Sequence, residues 1–118
     1  MSSKNNVTFL INKSEITAGT RGASLGPDAI ITAARKRGSF IFGENTIDKI
    51  QNVNSFLDKQ TNFPFAKRID GLLAIYEELN TKIATILKGN TFPIILAADH
   101  GSAGGTIAGI KSAFPDKR

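Results

Sequence analysis

The only histidine of this chain, His100, lies in the stretch "PIILAADHGSAGGTIAGI" over residues 93–110, where an apolar run ends at an aspartate. An imidazole in this place could bind a metal ion, transfer a proton, or simply end a strand. A metal ion needs several donors, and a lone histidine does not hold one. Taken alone, the neighbouring residues favour a structural histidine and leave a metal ligand as the alternative.

The glycines after His100 suggest another kind of site. Gly101, Gly104 and Gly105 would let a backbone or a ligand approach closely, and a helix N-terminus can bind phosphate. The spacing is G-x-x-G-G, which matches neither the dinucleotide-binding fingerprint nor the P-loop, and no lysine follows it directly. A phosphate-binding, Rossmann-like domain is therefore the weakest interpretation.

Short apolar runs predict the strands that must position these residues. Strands are predicted at residues 7–11 and 39–43, and the run "FPIILAA" from Phe92 has the continuous apolar character of a fully buried parallel strand. The segment from Glu44 to Pro64 stays open, because it combines helically spaced apolar residues with a run that could be extended.

Three helices are predicted between and after these strands. The first has Pro27 in its first turn and stops at Gly38. The longest covers residues 66–88 before Gly89-Asn90, and the last runs over 102–114. The apolar stripe of the longest helix is predicted to pack in the core, and it consists of Ile69, Leu72, Leu73, Tyr76, Leu79, Ile83, Ile86 and Leu87.

The alternation of strands and helices predicts an α/β fold with three layers, in which helices cover both faces of a parallel sheet. Ligands of such sheets bind just beyond the carboxyl ends of the strands, which is where Asp99 and His100 would lie. The length of 118 residues fits one domain, over residues 1–118, or part of one.

Composition excludes several classes of function. Without cysteine, the chain has no disulfide, thiolate zinc site or cysteine nucleophile. The net charge of +5 is scattered, and the one basic cluster, Arg35-Lys36-Arg37, falls at a predicted helix C-terminus, so we expect no nucleic-acid partner. No apolar run is long enough for a signal peptide or a membrane span, so we expect a cytoplasmic protein without a membrane partner.

The segment "FPIILAADHGSAGGTIAGI" resembles the first metal-binding motif of the arginase, agmatinase and formimidoylglutamase family, the ureohydrolases. In that motif a strand of the form F-P, three apolar residues and G-G-D-H-S runs into a helix with a T-x-x-G stretch. The matching residues here are Phe92, Pro93, Asp99, His100, Thr106 and Gly109. "RGASLGPDAI", residues 21–30, resembles the family segment "G-x-x-x-GP-x-A-[apolar]-R", so the likeness runs along nearly the whole chain in the family's order.

Three positions depart from the family pattern. Ala97-Ala98 replaces Gly-Gly, Gly101 replaces serine, and Ile31 stands where arginine is common. These are the differences that a divergent branch with its own substrate would show.

The resemblance implies that the chain is the N-terminal part of an arginase-like domain. It implies a hydrolase of linear amidines or guanidines, such as arginine, agmatine or formimidoylglutamate. In this family two manganese ions lower the pKa of a bridging water, and His100 would be one of their ligands. Asp99 is expected to support that ligand or to cap the following helix.

The other ligands of the family's centre, an Asp-x-His-x-Asp cluster and an Asp-x-Asp pair, have no counterpart in this chain. We therefore assign no catalytic residue here and expect the chain to be inactive alone. We also expect it to form a homo-oligomer or to bind a complementary C-terminal segment. The alternative is a non-enzymatic α/β module that has kept the fold for assembly or ligand binding.

Overall fold

A parallel sheet of three strands lies at the centre of the computed structural model, which describes residues 6–60, 66 and 68–118. Within that part of the chain the strand order is β2-β1-β3, with β1 at Val7–Asn12, β2 at Thr46–Lys49 and β3 at Phe92–Ala97. β1 pairs with β3 along its full length and with β2 over four residues. The α/β fold predicted from the sequence is confirmed.

The central strand is also the buried one. Phe9, Leu10 and Ile11 of β1 are at most 3% exposed, because strands flank them on both sides and helices cover both faces. The prediction that the run from Phe92 is fully buried is wrong. Among the described residues β3 is paired on one edge only, its middle is half-buried, and Phe92 is 66% exposed.

One face of the sheet is covered by α3 (Ile69–Lys88), against which α4 (Ala103–Ala113) packs. The two helices approach closely because glycines of α4 face α3. A Cβ atom on Gly109 would lie 2.6 Å from the Cβ of Ile83, where no side chain fits. The buried core between sheet and helix is formed by Leu10, Ile50, Ile75, Leu79 and Ile83.

The opposite face of the sheet is covered by the single helical turn α2 (Ile41–Glu44), which follows the largely exposed helix α1 (Gly26–Lys36). The ring of Phe42 packs on Phe9 with 4.5 Å between the ring centroids. Successive side chains of a strand point to opposite faces, so Phe9 lies across the sheet from Leu10. The helices therefore form the outer layers of a three-layer α-β-α arrangement.

The sequence signals at the ends of α1 are confirmed. The helix begins at Gly26 with Pro27 and Asp28 in its first turn, and Arg35 and Lys36 lie in its last turn. Gly38 follows with a φ of 75°, a left-handed conformation that favours glycine. The basic cluster thus lies at the negative end of a helix dipole, as predicted.

The strand predicted at 39–43 is wrong. Residues Ile41–Glu44 form a single helical turn, and the strand follows at Thr46–Lys49. A short apolar run does not distinguish a helical turn from a strand. Here the turn buries Phe42 and leaves Phe40 73% exposed, whereas the edge strand β2 buries little.

The open segment from Glu44 to Pro64 contains β2 and a 3-10 helix at Asn54–Asp58. Its residues 61–64 lie outside the described part of the chain. Within the described residues, no helix has both the length and the apolar character that crossing a membrane requires.

The longest helix ends at Lys88 as predicted but begins at Ile69 rather than at residue 66, and its buried face is rotated from the predicted stripe. Ile75, which the stripe did not include, is 1% exposed, whereas Leu73 is 56% exposed. At about 100° per residue the two lie at opposite edges of the apolar arc. The sheet contacts the edge of the arc that contains Ile75, and which edge becomes buried depends on the location of β1.

Candidate functional site

His100 lies just beyond the carboxyl end of β3, at the edge of the sheet where ligands of α/β folds bind. The last sheet hydrogen bond is donated by the Ala98 N–H to the Asn12 carbonyl, at 2.9 Å. His100 then begins a 3-10 turn, His100–Ser102, that leads into α4. The residue is exposed, and no side chain or backbone group among the described residues hydrogen-bonds its ring.

A groove of about 270 Å³ opens beside His100 along β3. Asp99, His100 and Thr106 contribute its polar groups, and Ile95 and Ile107 contribute apolar wall. Ile107 is 66% exposed, so much of that wall contacts solvent. The histidine therefore stands at the polar end of an open, mainly apolar groove.

Asp99 supports the loop beside His100 and does not cap the following helix. The Thr17 N–H donates to its Oδ2 at 3.0 Å, and its side chain makes no capping bond to the 3-10 turn. Its other oxygen, Oδ1, is buried and has no hydrogen-bond partner among the described residues. The capping alternative from the sequence is wrong, and a role in supporting His100 stays a prediction.

Thr17 makes a second contact with the same loop. The Gly101 N–H donates to Thr17 Oγ1 at 3.1 Å, so Thr17 holds the residues on both sides of His100. Sequence reasoning did not identify Thr17, because more than eighty positions separate it from this loop. No local sequence pattern predicts the contact between Thr17 and the His100 loop.

Glu15, also missed from the sequence, organises the loop that presents Thr17. Its side chain is 1% exposed, and Oε1 accepts hydrogen bonds from the N–H groups of Gly22 (2.7 Å) and Ser24 (2.8 Å). Arg21 lies 3.6 Å from Oε2. The Ser24 N–H, helped by Gly22 and Arg21, lowers the pKa of the Glu15 carboxyl and outweighs the opposing effect of burial.

The arginase family model matches residues 7–118. The chain belongs to the arginase family. It is also 30% identical over 89 residues to the arginase of Bacillus subtilis (strain 168), and the match covers 75% of this chain and 30% of that protein. A search of solved structures finds no match. The resemblance of the chain to the ureohydrolase family is thereby confirmed.

This arginase-family chain brings few potential ligands together. Across residues 6–60, 66 and 68–118, no group of three or more His, Asp or Glu side chains could hold a metal ion. The chain also spans only 30% of the length of the B. subtilis arginase. His100 as a metal ligand accordingly stays a prediction, with Asp99 as the acidic side chain next to it.

Glu15 gives this arginase-family chain a testable acid sensitivity. Because folding lowers its pKa below the ordinary value of 4.5, Glu15 stabilises the fold above that pH, and this contribution is lost as the pH falls through the lowered pKa. We expect Glu15→Gln to lower the melting temperature most at pH 7. The difference in melting temperature between the variant and the native chain should become smaller below about pH 4.5.

Glu77→Gln is the matched control for Glu15→Gln, because Glu77 lies exposed on α3. It should leave the melting temperature close to native at every pH. Melting curves recorded by circular dichroism between pH 3 and 7, roughly the range over which carboxylates titrate, provide the comparison. A gap between Glu15→Gln and the native chain that widened as the pH fell would contradict the assignment.

Proposed function

We propose that this chain contributes His100 as one ligand to a two-manganese centre in a hydrolase of linear amidines or guanidines. The observation that carries the proposal is the place of His100, exposed and without a hydrogen-bond partner among the described residues, just beyond the carboxyl end of β3. It stands in a motif of a chain that belongs to the arginase family. A neutral imidazole nitrogen is a suitable ligand for a divalent transition metal.

The residues present fit one ligand position of such a centre. When bound, a pair of manganese ions supplies an acidified water as the nucleophile. The chain's own contribution is a ring nitrogen on His100, a loop held by Thr17 and Asp99, and the Ile107 side of an apolar groove. Asp99 Oδ1, buried without a partner among the described residues, can still accept a hydrogen bond next to that ligand.

The remaining ligands and the substrate contacts are assigned to polypeptide that this chain does not include. Its match covers 30% of the B. subtilis arginase, so most of that enzyme has no counterpart here. We propose a complementary C-terminal segment as the partner, with a small guanidine or amidine as the substrate and the cytoplasm as the location. Self-association is the alternative way to cover the same surface.

Manganese titration of the chain tests the ligand assignment. Since His100 is the only histidine, its ring protons give unambiguous NMR signals, and paramagnetic Mn²⁺ should broaden them first. One ligand supports only weak binding, so we expect half-saturation no tighter than about millimolar, which corresponds to roughly 4 kcal/mol.

His100→Ala should remove the heat of that weak binding in calorimetry, and Asp116→Asn, which changes an exposed carboxylate near the chain end, should not. A His100 ring that Mn²⁺ leaves unbroadened would refute the ligand assignment. A micromolar site that His100→Ala abolishes would show that the chain carries more of the centre than one ligand.

The isolated chain is expected to release no product from arginine, agmatine or formimidoylglutamate in the presence of added manganese. The reason is that a single imidazole ligand does not keep two manganese ions bound in competition with water. Urea, ammonia and formamide assays on the purified chain provide the measurement, with His100→Ala and a protein-free manganese blank as references. Product above both references would contradict the expectation.

The non-enzymatic alternative has its own supporting observation. Apolar side chains lie exposed along β3 and α4, including Phe92 and Ile107 at 66% each, as an assembly surface would require. The DNA downstream of the codon for Arg118 separates the two functions. An open reading frame there that encodes an Asp-x-His-x-Asp cluster would favour the enzymatic function. The absence of such a frame from the neighbouring DNA would favour the assembly module.

A further inference from the structure

Gly101 stands where the ureohydrolase motif has serine, and the structure shows what fills that space. A Cβ atom on Gly101 would lie 2.1 Å from Thr17 Cγ2, 2.3 Å from Thr17 Oγ1 and 2.6 Å from Thr17 Cβ. Because even the branching carbon is this close, rotating the threonine side chain cannot make room. A side chain at position 101 and a threonine at position 17 therefore exclude each other in this geometry.

Thr17 also makes the polar contacts that hold the loop in place. Its N–H donates to Asp99 Oδ2, and its Oγ1 accepts from the Gly101 N–H, at 3.0 and 3.1 Å. The two bonds fall on the residues immediately before and after His100. The loop between β1 and α1 thus holds the Asp99 side chain on one side of the candidate ligand and the Gly101 backbone on the other.

The β1–α1 loop is itself anchored, so it can act as a support. Ile16, the residue before Thr17, is 5% exposed, and Glu15 is held through its side chain and through its N–H, which donates to Asn54 Oδ1 at 2.8 Å. Because the two residues before Thr17 are held in this way, the position of Thr17 relative to the sheet is fixed.

The geometry points to Thr17 as a positioning residue for His100, because it bonds both neighbours of His100 and its side chain fills the space that a side chain at position 101 would take. The assignment of His100 to a metal rests on the proposed function, but the contact between Thr17 and the His100 loop does not. We call Thr17 and Gly101 the exchanged pair, because the side chain that fills the space next to position 101 comes from a different loop.

A double-mutant cycle tests the exchanged pair. Gly101 does not have a left-handed φ, so serine there is disfavoured by Thr17 and not by the backbone. We expect Gly101→Ser to lower the melting temperature by roughly 5 °C or more in the native chain, and by much less in a Thr17→Gly background. Equal losses in both backgrounds would overturn the proposal.

Thr17→Val tests positioning, because it keeps the shape of the side chain and removes the hydroxyl acceptor. We expect the backbone order parameter of His100, measured without metal, to fall from about 0.85 towards 0.6, while that of core residues such as Leu79 stays unchanged. Thr81→Val is the matched control, since it removes an α3 hydroxyl that bonds the Glu77 carbonyl at 3.0 Å. A His100 order parameter that Thr17→Val leaves at its native value would overturn the positioning role.

Manganese broadening of the His100 ring then separates this inference from the proposed function. If Thr17→Val requires severalfold more Mn²⁺ for equal broadening, both stand. If the native ring shows no broadening at all, the metal assignment fails, and the order parameter and melting cycle still decide the role of Thr17.

Discussion

Replacing Leu79 by alanine is expected to lower the free energy of unfolding by about 2–5 kcal/mol, a large fraction of the stability of a domain this size. Leu79 is fully buried in the core cluster between β1 and α3. The cavity cannot close by inward movement of α4, because Gly105 already brings that helix against Leu79; a Cβ there would lie 2.9 Å from the Leu79 Cβ.

Leu73→Ala is the matched control for Leu79→Ala, since it makes the same chemical change on the same helix. Leu73 is 56% exposed, so we expect a loss below about 1 kcal/mol. Urea denaturation of both variants, analysed with a common dependence on denaturant, gives the two values. If both variants lost the same free energy of unfolding, the buried face of α3 would be assigned wrongly.

The contrast between these two leucines shows what the apolar pattern could and could not predict. The pattern located the helix and the core residues Leu79 and Ile83, because helical periodicity is a local property. It included Leu73 and left out Ile75, which was wrong, because the two lie at opposite edges of a wide apolar arc. The edge that becomes buried depends on where β1 and β3 lie, and residues far along the chain determine that.

The same division applies to the candidate site. The place of His100 at the carboxyl end of a strand followed from an apolar run and the residues after it, which lie together in sequence. The supports of that loop did not follow, because Thr17 and Glu15 belong to the loop after β1. Only the pairing of β1 with β3 brings the two loops together. The glycine at 101 was recognised as a departure from the family pattern. The residue that fills the space next to it, Thr17, lies on the other loop.

Without a complementary segment, the isolated chain is expected to self-associate in solution rather than to remain a monomer of 12.6 kDa. Within the described residues β3 pairs only with β1, so its other edge presents free N–H and C=O groups. Unpaired edges of this kind recruit another strand. Ile107 of α4, 66% exposed, adds apolar surface beside β3, and Ile110 on the same helix is 45% exposed.

Ile107→Lys should shift the association towards monomer, because it places a charge on the apolar surface next to the free edge of β3. Leu73→Lys is the control, since it places the same charge on a similarly exposed leucine of α3. Light scattering over a concentration series would show a rising mass for the native chain and for Leu73→Lys, and a mass near 12.6 kDa for Ile107→Lys. A native chain that stayed at 12.6 kDa at high concentration and unfolded cooperatively would show that the three-stranded unit is self-sufficient, and that its open edge does not need a partner.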